Sequence, residues 1–303
     1  MFWSRFVART PRQFRAAMLL LLVILLWGAN WPVMKIGLRD MPPLWFASVR
    51  LLFGSATLFA LLGLRTRLPP KADVPVFASG TVFQLFIFLA LTHLALTAEG
   101  AGRSAILAYT TPLWVAPMAV VWLGERMSKA RVIALAFGMA GLCVLFNPLT
   151  FNWKQTDLVQ ANGLLVVAAM AWAVAIVHMR GHRWVSTPLT LLPWQMLLAG
   201  LALAAVAAVV HSEAPAVNWT TRLWLVIIYN GPIASAFCFW AFATVARALP
   251  ANTTALGSLG VPVVGLLVSA VILHEPLSIE KIVGLALILM AVSGLVFSHT
   301  RRT

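Results

Sequence analysis

The chain has 303 residues, of which 61% are apolar and 10% charged, with 22 Lys or Arg against 8 Asp or Glu and a formal charge of +14. A soluble domain carries about 25% charged residues, and a water-exposed fold of this length cannot hide so much apolar surface. The composition therefore argues for a lipid-embedded chain, and the basic excess reads as residues flanking membrane spans, since no basic run with interleaved aromatics lies outside the apolar segments.

Arg5, Arg9, Arg12 and Arg15 precede an apolar run from Ala16 to Trp31 with no small-residue cleavage site, so an uncleaved first helix is expected rather than a signal peptide. A span needs about 17–25 largely apolar residues. On that criterion ten spans are predicted, near 17–38, 43–63, 74–95, 101–123, 129–147, 158–180, 188–210, 222–244, 252–273 and 279–298. Short breaks with turn or charge signals separate them, and the longest, around Asn147 to Asp157, divides the chain into halves. The expected fold is all-α and integral to the membrane, with a first five-helix unit over 17–147 and a second over 158–298.

The first span carries Trp27 and Asn30 well inside it. Arg50 lies about a third of the way into the second, where a charge costs roughly 2.5–3.5 kcal/mol near a helix centre unless it snorkels or is paired. Two readings stand: an anchor for a substrate carboxylate, or a structural tie to helix-terminal carbonyls or a loop acid. Gln84 is near the midpoint of the third span and should face the bundle interior, because an amide in lipid lacks partners. His93 follows it. Tyr109 and Pro112 fall in the fourth span, Trp172 and His178 in the sixth, Gln195 in the seventh, Tyr229 and Asn230 in the eighth, and Pro262 in the ninth. Each polar side chain among these prefers a cavity or an interhelical bond to lipid. Trp27 and Trp172 could line a cavity suited to a planar substrate, or simply pack. Pro112 and Pro262, read as mid-helix, are candidate hinges, or merely shape the bundle. His93 and His178 are candidate proton carriers, or packed residues near helix ends. Cys143 and Cys238 lack metal-type spacing and read as packing residues.

Charge counting sets the orientation. With a cytoplasmic N-terminus, the inside segments hold 15 Lys or Arg and the outside loops 6, so both termini are expected in the cytoplasm. Because five is odd, the second half then runs through the membrane in the opposite sense. At a constant offset of 150, Ala101 matches Ala251, Pro112 matches Pro262, Glu125 matches Glu275 and Ser128 matches Ser278, with Arg131 opposite Lys281. At an offset of 145, Trp27 aligns with Trp172 and Arg50 with Gln195. Inverted repeats are the architecture of alternating-access carriers with a site near the midplane.

Several stretches also resemble a known family: Trp27-Gly28-Ala29-Asn30-Trp31-Pro32, the Phe46-Ala47-Ser48-Val49-Arg50 entry to the second span, and the two ends Leu123-Gly124-Glu125-Arg126-Met127-Ser128 and His274-Glu275-Pro276-Leu277-Ser278. Together they look like the EamA-type branch of the drug/metabolite transporter superfamily, over about 17–298, and the chain is similar to bacterial aromatic amino-acid exporters. The resemblance implies a ten-helix exporter with cytoplasmic termini in a bacterial-type inner membrane. One departure is Gly124 opposite His274, which predicts that the two ends are not equivalent.

No Gly-x-x-x-x-Gly-Lys-Ser/Thr phosphate loop occurs, so no nucleotide or other cofactor is expected and transport must follow a gradient. All eight acids, Asp40, Asp73, Glu99, Glu125, Asp157, Glu213, Glu275 and Glu280, fall in predicted loops or at span ends, which favours facilitated diffusion over coupling through an intramembrane carboxylate. The expected partners are a small-molecule substrate, aromatic or other neutral amino acids, and the lipid bilayer, with no nucleic acid and a monomer as the working unit. The candidate binding residues are Trp27, Asn30, Gln84, Tyr109, Trp172, Tyr229 and Asn230, with Arg50 as anchor. The competing class is a pore or a non-transporting membrane protein such as a scaffold or lipid-modifying enzyme. No paired intramembrane carboxylates, His-rich set or Ser/His/Asp grouping supports an enzyme.

Overall fold

A computed structural model describes residues 11–63, 66, 68–125, 128–146, 154–210, 212, 217–248 and 260–300. Every regular element among them is helical, as lipid demands of a backbone whose N–H and C=O groups find no water. The α-helices are α1 (Pro11–Gly37), α2 (Pro43–Leu62), α3 (Val74–Ser79), α4 (Phe88–Ala98), α5 (Ala101–Ala108), α6 (Thr111–Leu123), α7 (Lys129–Phe146), α8 (Thr156–Gly181), α9 (Pro188–Val210), α10 (Thr221–Ile228), α11 (Cys238–Ala248), α12 (Gly260–Ile272) and α13 (Ile279–Thr300). Wider π-helical turns join α3 to α4 (Gly80–Ile87) and α10 to α11 (Tyr229–Phe237). Among the described residues, seven stretches are long and apolar enough to cross a bilayer, and Val132–Leu145 and Gly260–Ile272 are shorter apolar helices. Large apolar side chains such as Leu21, Leu25, Val121, Trp122, Leu201, Val209 and Val271 point outward, an arrangement that water would oppose and lipid tails accept.

The dominant packing pairs are α7 with α13, α2 with α9, α1 with α12, α4 with α8, α2 with the Tyr229–Phe237 turn, and α6 with α8. One apolar core gathers Phe46, Leu51, Leu89, Met196, Leu203 and Leu223, and a second gathers Ile106, Leu113, Leu142, Leu145, Leu165 and Ile288. Glycine sets the closeness of α7 and α13. A Cβ at Gly141 would stand 3.0 Å from the Gly284 carbonyl oxygen, and one at Gly284 would stand 2.6 Å from Leu145, the small-residue contact that membrane helices use in place of a hydrophobic drive.

Two polar clasps lie beyond opposite ends of α2, whose 20 residues span about 30 Å at 1.5 Å per residue. At one end, Arg222 Nε and Nη2 donate to Asp40 at 2.8 and 2.6 Å, and Thr220 Oγ1 donates at 3.2 Å. At the other, Asp73 accepts from the Val185 and Ser186 amides at 3.2 and 2.7 Å, and His182 Nε2 lies 2.8 Å away. The Arg222 guanidinium holds the Asp40 carboxyl below the ordinary carboxylate range.

Three details depart from the sequence reading. The fourth span is broken, not kinked: α5 ends at Ala108, and Pro112 stands in the first turn of α6, where its missing N–H costs nothing. Pro262 is the third residue of α12, and Ala251 lies outside the described residues. The Gly124 and His274 ends, expected to differ, share one backbone. Both residues are left-handed, with φ 65° and 55°, and the next amide closes back six residues, Glu125 to Ala119 and Glu275 to Ser269.

Candidate functional site

α1 presents Trp27, Asn30, Trp31 and Met34 at i, i+3, i+4 and i+7, one face of a helix. That face forms one wall of a cavity. Arg50 and Leu51 of α2 and Gln84, Leu85, Phe88 and Leu89 of the third span contribute further walls. Tyr109 at the α5–α6 break, Trp172 of α8, and Ser235 and Phe239 near the second π-helical turn complete the lining. The two π segments each supply a polar lining residue, Gln84 and Ser235. A π turn offsets side chains from the α-helical register, which is why such turns recur at functional sites. Pro232 signals the second one. In the first, Gly80 lets Gln195 approach, since a Cβ there would stand 2.6 Å from Gln195 Nε2, which instead donates to Phe77 O at 3.1 Å.

The walls are aromatic in two matched places. Trp27 meets Phe239 edge-on at 5.5 Å, and Trp172 meets Phe88 at 4.6 Å, with Tyr109 a further 6.4 Å from Trp172. The Trp27 indole is pinned by donating to Ala234 O at 2.8 Å. The volume of the cavity is about 60 Å³. A benzene ring occupies a cavity of roughly 150 Å³, so an aromatic side chain enters only if the walls move apart.

Arg50 is the charged group of the site. It is 5% exposed; its Nε donates to Ser235 Oγ at 2.9 Å and its Nη1 to Met34 Sδ at 3.0 Å. A guanidinium carries five N–H donors, and a thioether is a weak acceptor. Among the described residues no carboxylate lies within ion-pair distance of it. Its bonded partners among the described residues are thus a hydroxyl and a thioether on neighbouring helices, rather than a helix-end carbonyl or a loop acid.

Of the residues singled out from sequence, Trp27, Asn30, Arg50, Gln84, Tyr109 and Trp172 share this one cavity. Tyr229 and Asn230 do not line it. The Tyr229 hydroxyl donates to Leu26 O at 2.7 Å, and Asn230 Nδ2 donates back to Val226 O at 3.1 Å. His93 is fully buried one turn behind the wall residue Leu89, with Nδ1 2.7 Å from Leu89 O and its ring 5.3 Å from Phe46. His178 lies in the last turn of α8, 6.4 Å from His182, outside the cavity. Ser235, Met34, Phe88 and Phe239 were not anticipated. Phe88 and Phe239 sit in near-continuous apolar runs with nothing to mark them, whereas Met34 was legible as the next position on the Trp27–Asn30 face.

A second polar region closes the corner between α4 and α5. Lys35 Nζ donates to Leu96 O, Thr97 O and Glu99 O at the C-terminus of α4, and Glu275 accepts from the Ala101 and Gly102 amides at 2.6 and 3.1 Å at the N-terminus of α5. A cation on carbonyls and a carboxylate on amides match the two helix-end dipoles.

The sequence profile of the EamA-like transporter family matches the chain twice, over residues 14–147 and 160–297. "Uncharacterized transporter YoaV" of Bacillus subtilis is 25% identical over 285 residues, covering 92% of this chain and 96% of that one. A "Probable amino-acid metabolite efflux pump" of Escherichia coli is 26% identical over 282 residues, covering 89% and 91%. A solved crystal structure superposes with a TM-score of 0.63 at 23% identity, covering 95% of this chain and 98% of that one, which speaks to the fold alone.

Proposed function

Since the chain belongs to the EamA-like transporter family, we propose that it is a secondary transporter that exports small metabolites, aromatic or other neutral amino acids, by alternating access. The observation that carries this is Arg50, a buried cation on the cavity wall whose bonded partners among the described residues are a hydroxyl and a thioether. A substrate carboxylate supplies the bidentate acceptor that a guanidinium fork favours, and the aromatic walls suit the apolar remainder. The amino-acid efflux name of the Escherichia coli relative agrees with that chemistry. The small cavity corresponds to a contracted conformation that widens to load.

Alternating access rests on a ten-span, two-repeat organisation, 17–147 and 158–298, with both termini cytoplasmic. Several features support it. The profile matches twice, and π segments fall at corresponding places in the third and eighth spans. Trp27 with Phe239 and Trp172 with Phe88 make corresponding aromatic pairs, and α6 and α12 end in the same left-handed turn. The break beside Pro112, and Pro262 in the first turn of α12, are the hinges. Every described acid sits in a loop or near a helix end, and Asp40, held ionised by Arg222, stays charged through neutral pH. A facilitative carrier, driven by the substrate gradient, follows.

The test is exchange of radiolabelled L-phenylalanine and L-leucine in proteoliposomes, with and without an imposed pH gradient. Saturable flux indifferent to the gradient, lost by about tenfold or more in Arg50→Gln through the missing charge-assisted bond and partly kept in Arg50→Lys, is the expected result. Flux that tracks the pH gradient removes the facilitative reading. Flux unchanged in folded Arg50→Gln removes the anchor.

A further inference from the structure

Arg50 accounts for a carboxylate and for nothing else on a substrate. The cavity wall also holds a polar group with no employment in the fold. Asn30 is 3% exposed, lines the cavity, and its Oδ1 is buried without a hydrogen-bond partner among the described residues. Two neighbouring polar groups on that wall are engaged within the fold: Trp27 Nε1 with Ala234 O, and Ser235 Oγ with Arg50 Nε. A buried acceptor left unpaired in a folded interior is an exception that calls for a ligand.

The geometry of α1 puts this acceptor at a set distance from the anchor. Asn30 and Met34 are one turn apart on one face, with about 5–6 Å between such Cβ atoms, and Met34 Sδ is the atom that Arg50 Nη1 touches. An α-amino acid separates its ammonium from its carboxylate by a single carbon. With one hydrogen bond of about 2.9 Å at each end, it bridges a helical turn. We infer that Asn30 Oδ1 is the acceptor for a substrate ammonium group, so that Arg50 and Asn30 together select α-amino acids against carboxylic acids of the same side chain. This rests on the carboxylate-anchor reading of Arg50 and extends it to the other end of the zwitterion. The uncharged acceptor fits a wall that carries no acidic residue. A site built to hydrogen-bond a substrate group rejects the analogue that lacks it far more strongly than one that only encloses it.

The discriminating pair is L-phenylalanine and 3-phenylpropionate, which differ by the ammonium group alone, each measured as labelled flux into proteoliposomes. The native chain is expected to favour phenylalanine by about a hundredfold or more. Asn30→Leu cuts that ratio to within about tenfold, chiefly by slowing phenylalanine, and Asn30→Asp, which keeps an acceptor at the same place, retains the preference. Should Asn30→Leu fail to fold, Asn30→Ala is read by the same ratio. Equal flux of both probes through the native chain, or an unchanged ratio in a folded Asn30 variant, overturns the inference while leaving Arg50 as anchor, provided Arg50→Gln slows both. Absence of flux for both probes in the native chain removes the carboxylate reading and this inference with it.

Discussion

The ends of α6 and α12 are built alike and held differently. Each closes on a left-handed residue, Gly124 or His274, and each then offers a glutamate 150 positions from the other. Glu275 is drawn inward onto the first amides of α5, beside Lys281 Nζ at 3.8 Å, and its side chain is 14% exposed. Glu125 meets Arg180 at 2.6 Å with both side chains partly in solvent, 23% and 42% exposed. The same turn and repeated glutamate therefore yield a partly buried helix cap at one end and a more exposed ion pair at the other. Repeated sequence sets the backbone turn, whereas the conformation of the whole bundle decides what the carboxylate reaches.

The largest break in this comparison is at Glu275. Glu275→Gln removes charge from two amide contacts, and hydrogen bonds to charged groups contribute about 1.5–3 kcal/mol each. Allowing that Gln keeps one acceptor, a loss of about 2 kcal/mol at the α4–α5 corner is expected, read as a lower Tm of the purified protein in detergent. Lys35, whose ammonium holds the last carbonyls of α4, is the other half of that corner, so Lys35→Met added to Glu275→Gln should give a double-mutant effect smaller than the sum. Simple addition would show that the cation and the carboxylate act independently.

The backbone part of this was legible in the sequence and the side-chain part was not. The repeated Glu and Ser marked the two ends because a helix stop leaves a local signature. Gly124 opposite His274 suggested unlike ends, since sequence shows a side chain's usual φ preference and not the φ that tertiary packing imposes. Asn30 and Arg50 stood out because a polar or charged residue in an apolar run is costly in lipid. Tyr229 and Asn230 stood out for the same reason but donate to backbone carbonyls instead, of Leu26 on α1 and of Val226 one turn back. Polarity in a span indicates that a partner is needed, and only the fold says whether the partner is a neighbouring carbonyl or an open cavity. The π segment at Gly80–Ile87 left no mark, because no Pro or polar run interrupts its hydropathy.

A smaller effect sharpens the contrast from the other side. Glu125→Gln removes a partly exposed ion pair with Arg180, and such pairs contribute about 0–1 kcal/mol. The expected Tm change is correspondingly slight and shrinks as salt is raised, because the Debye length falls to about 3 Å at 1 M. Glu275→Gln should be nearly indifferent to salt. Equal losses in the two variants, or equal salt sensitivity, would mean that Glu125 is as deeply tied as its counterpart.

The smallest effect concerns the turns themselves. His274 holds φ 55°, a region that costs an L-residue roughly 1–2 kcal/mol, while glycine brings an entropic cost of about 0.5–1 kcal/mol of its own. The difference predicts that His274→Gly stabilises the protein by about 1 kcal/mol or less, and that Gly124→His destabilises by a similar amount. A Cβ at Gly124 meets nothing within 4 Å, so the first side-chain atom adds no clash there and the backbone sets the sign. If the two substitutions shift Tm in opposite directions by like amounts, the two ends are equivalent in backbone energetics and differ only in what Glu125 and Glu275 bind. A His274→Gly variant that loses stability would instead give the imidazole a contact of its own, and the asymmetry of the repeat would begin one residue before the glutamate.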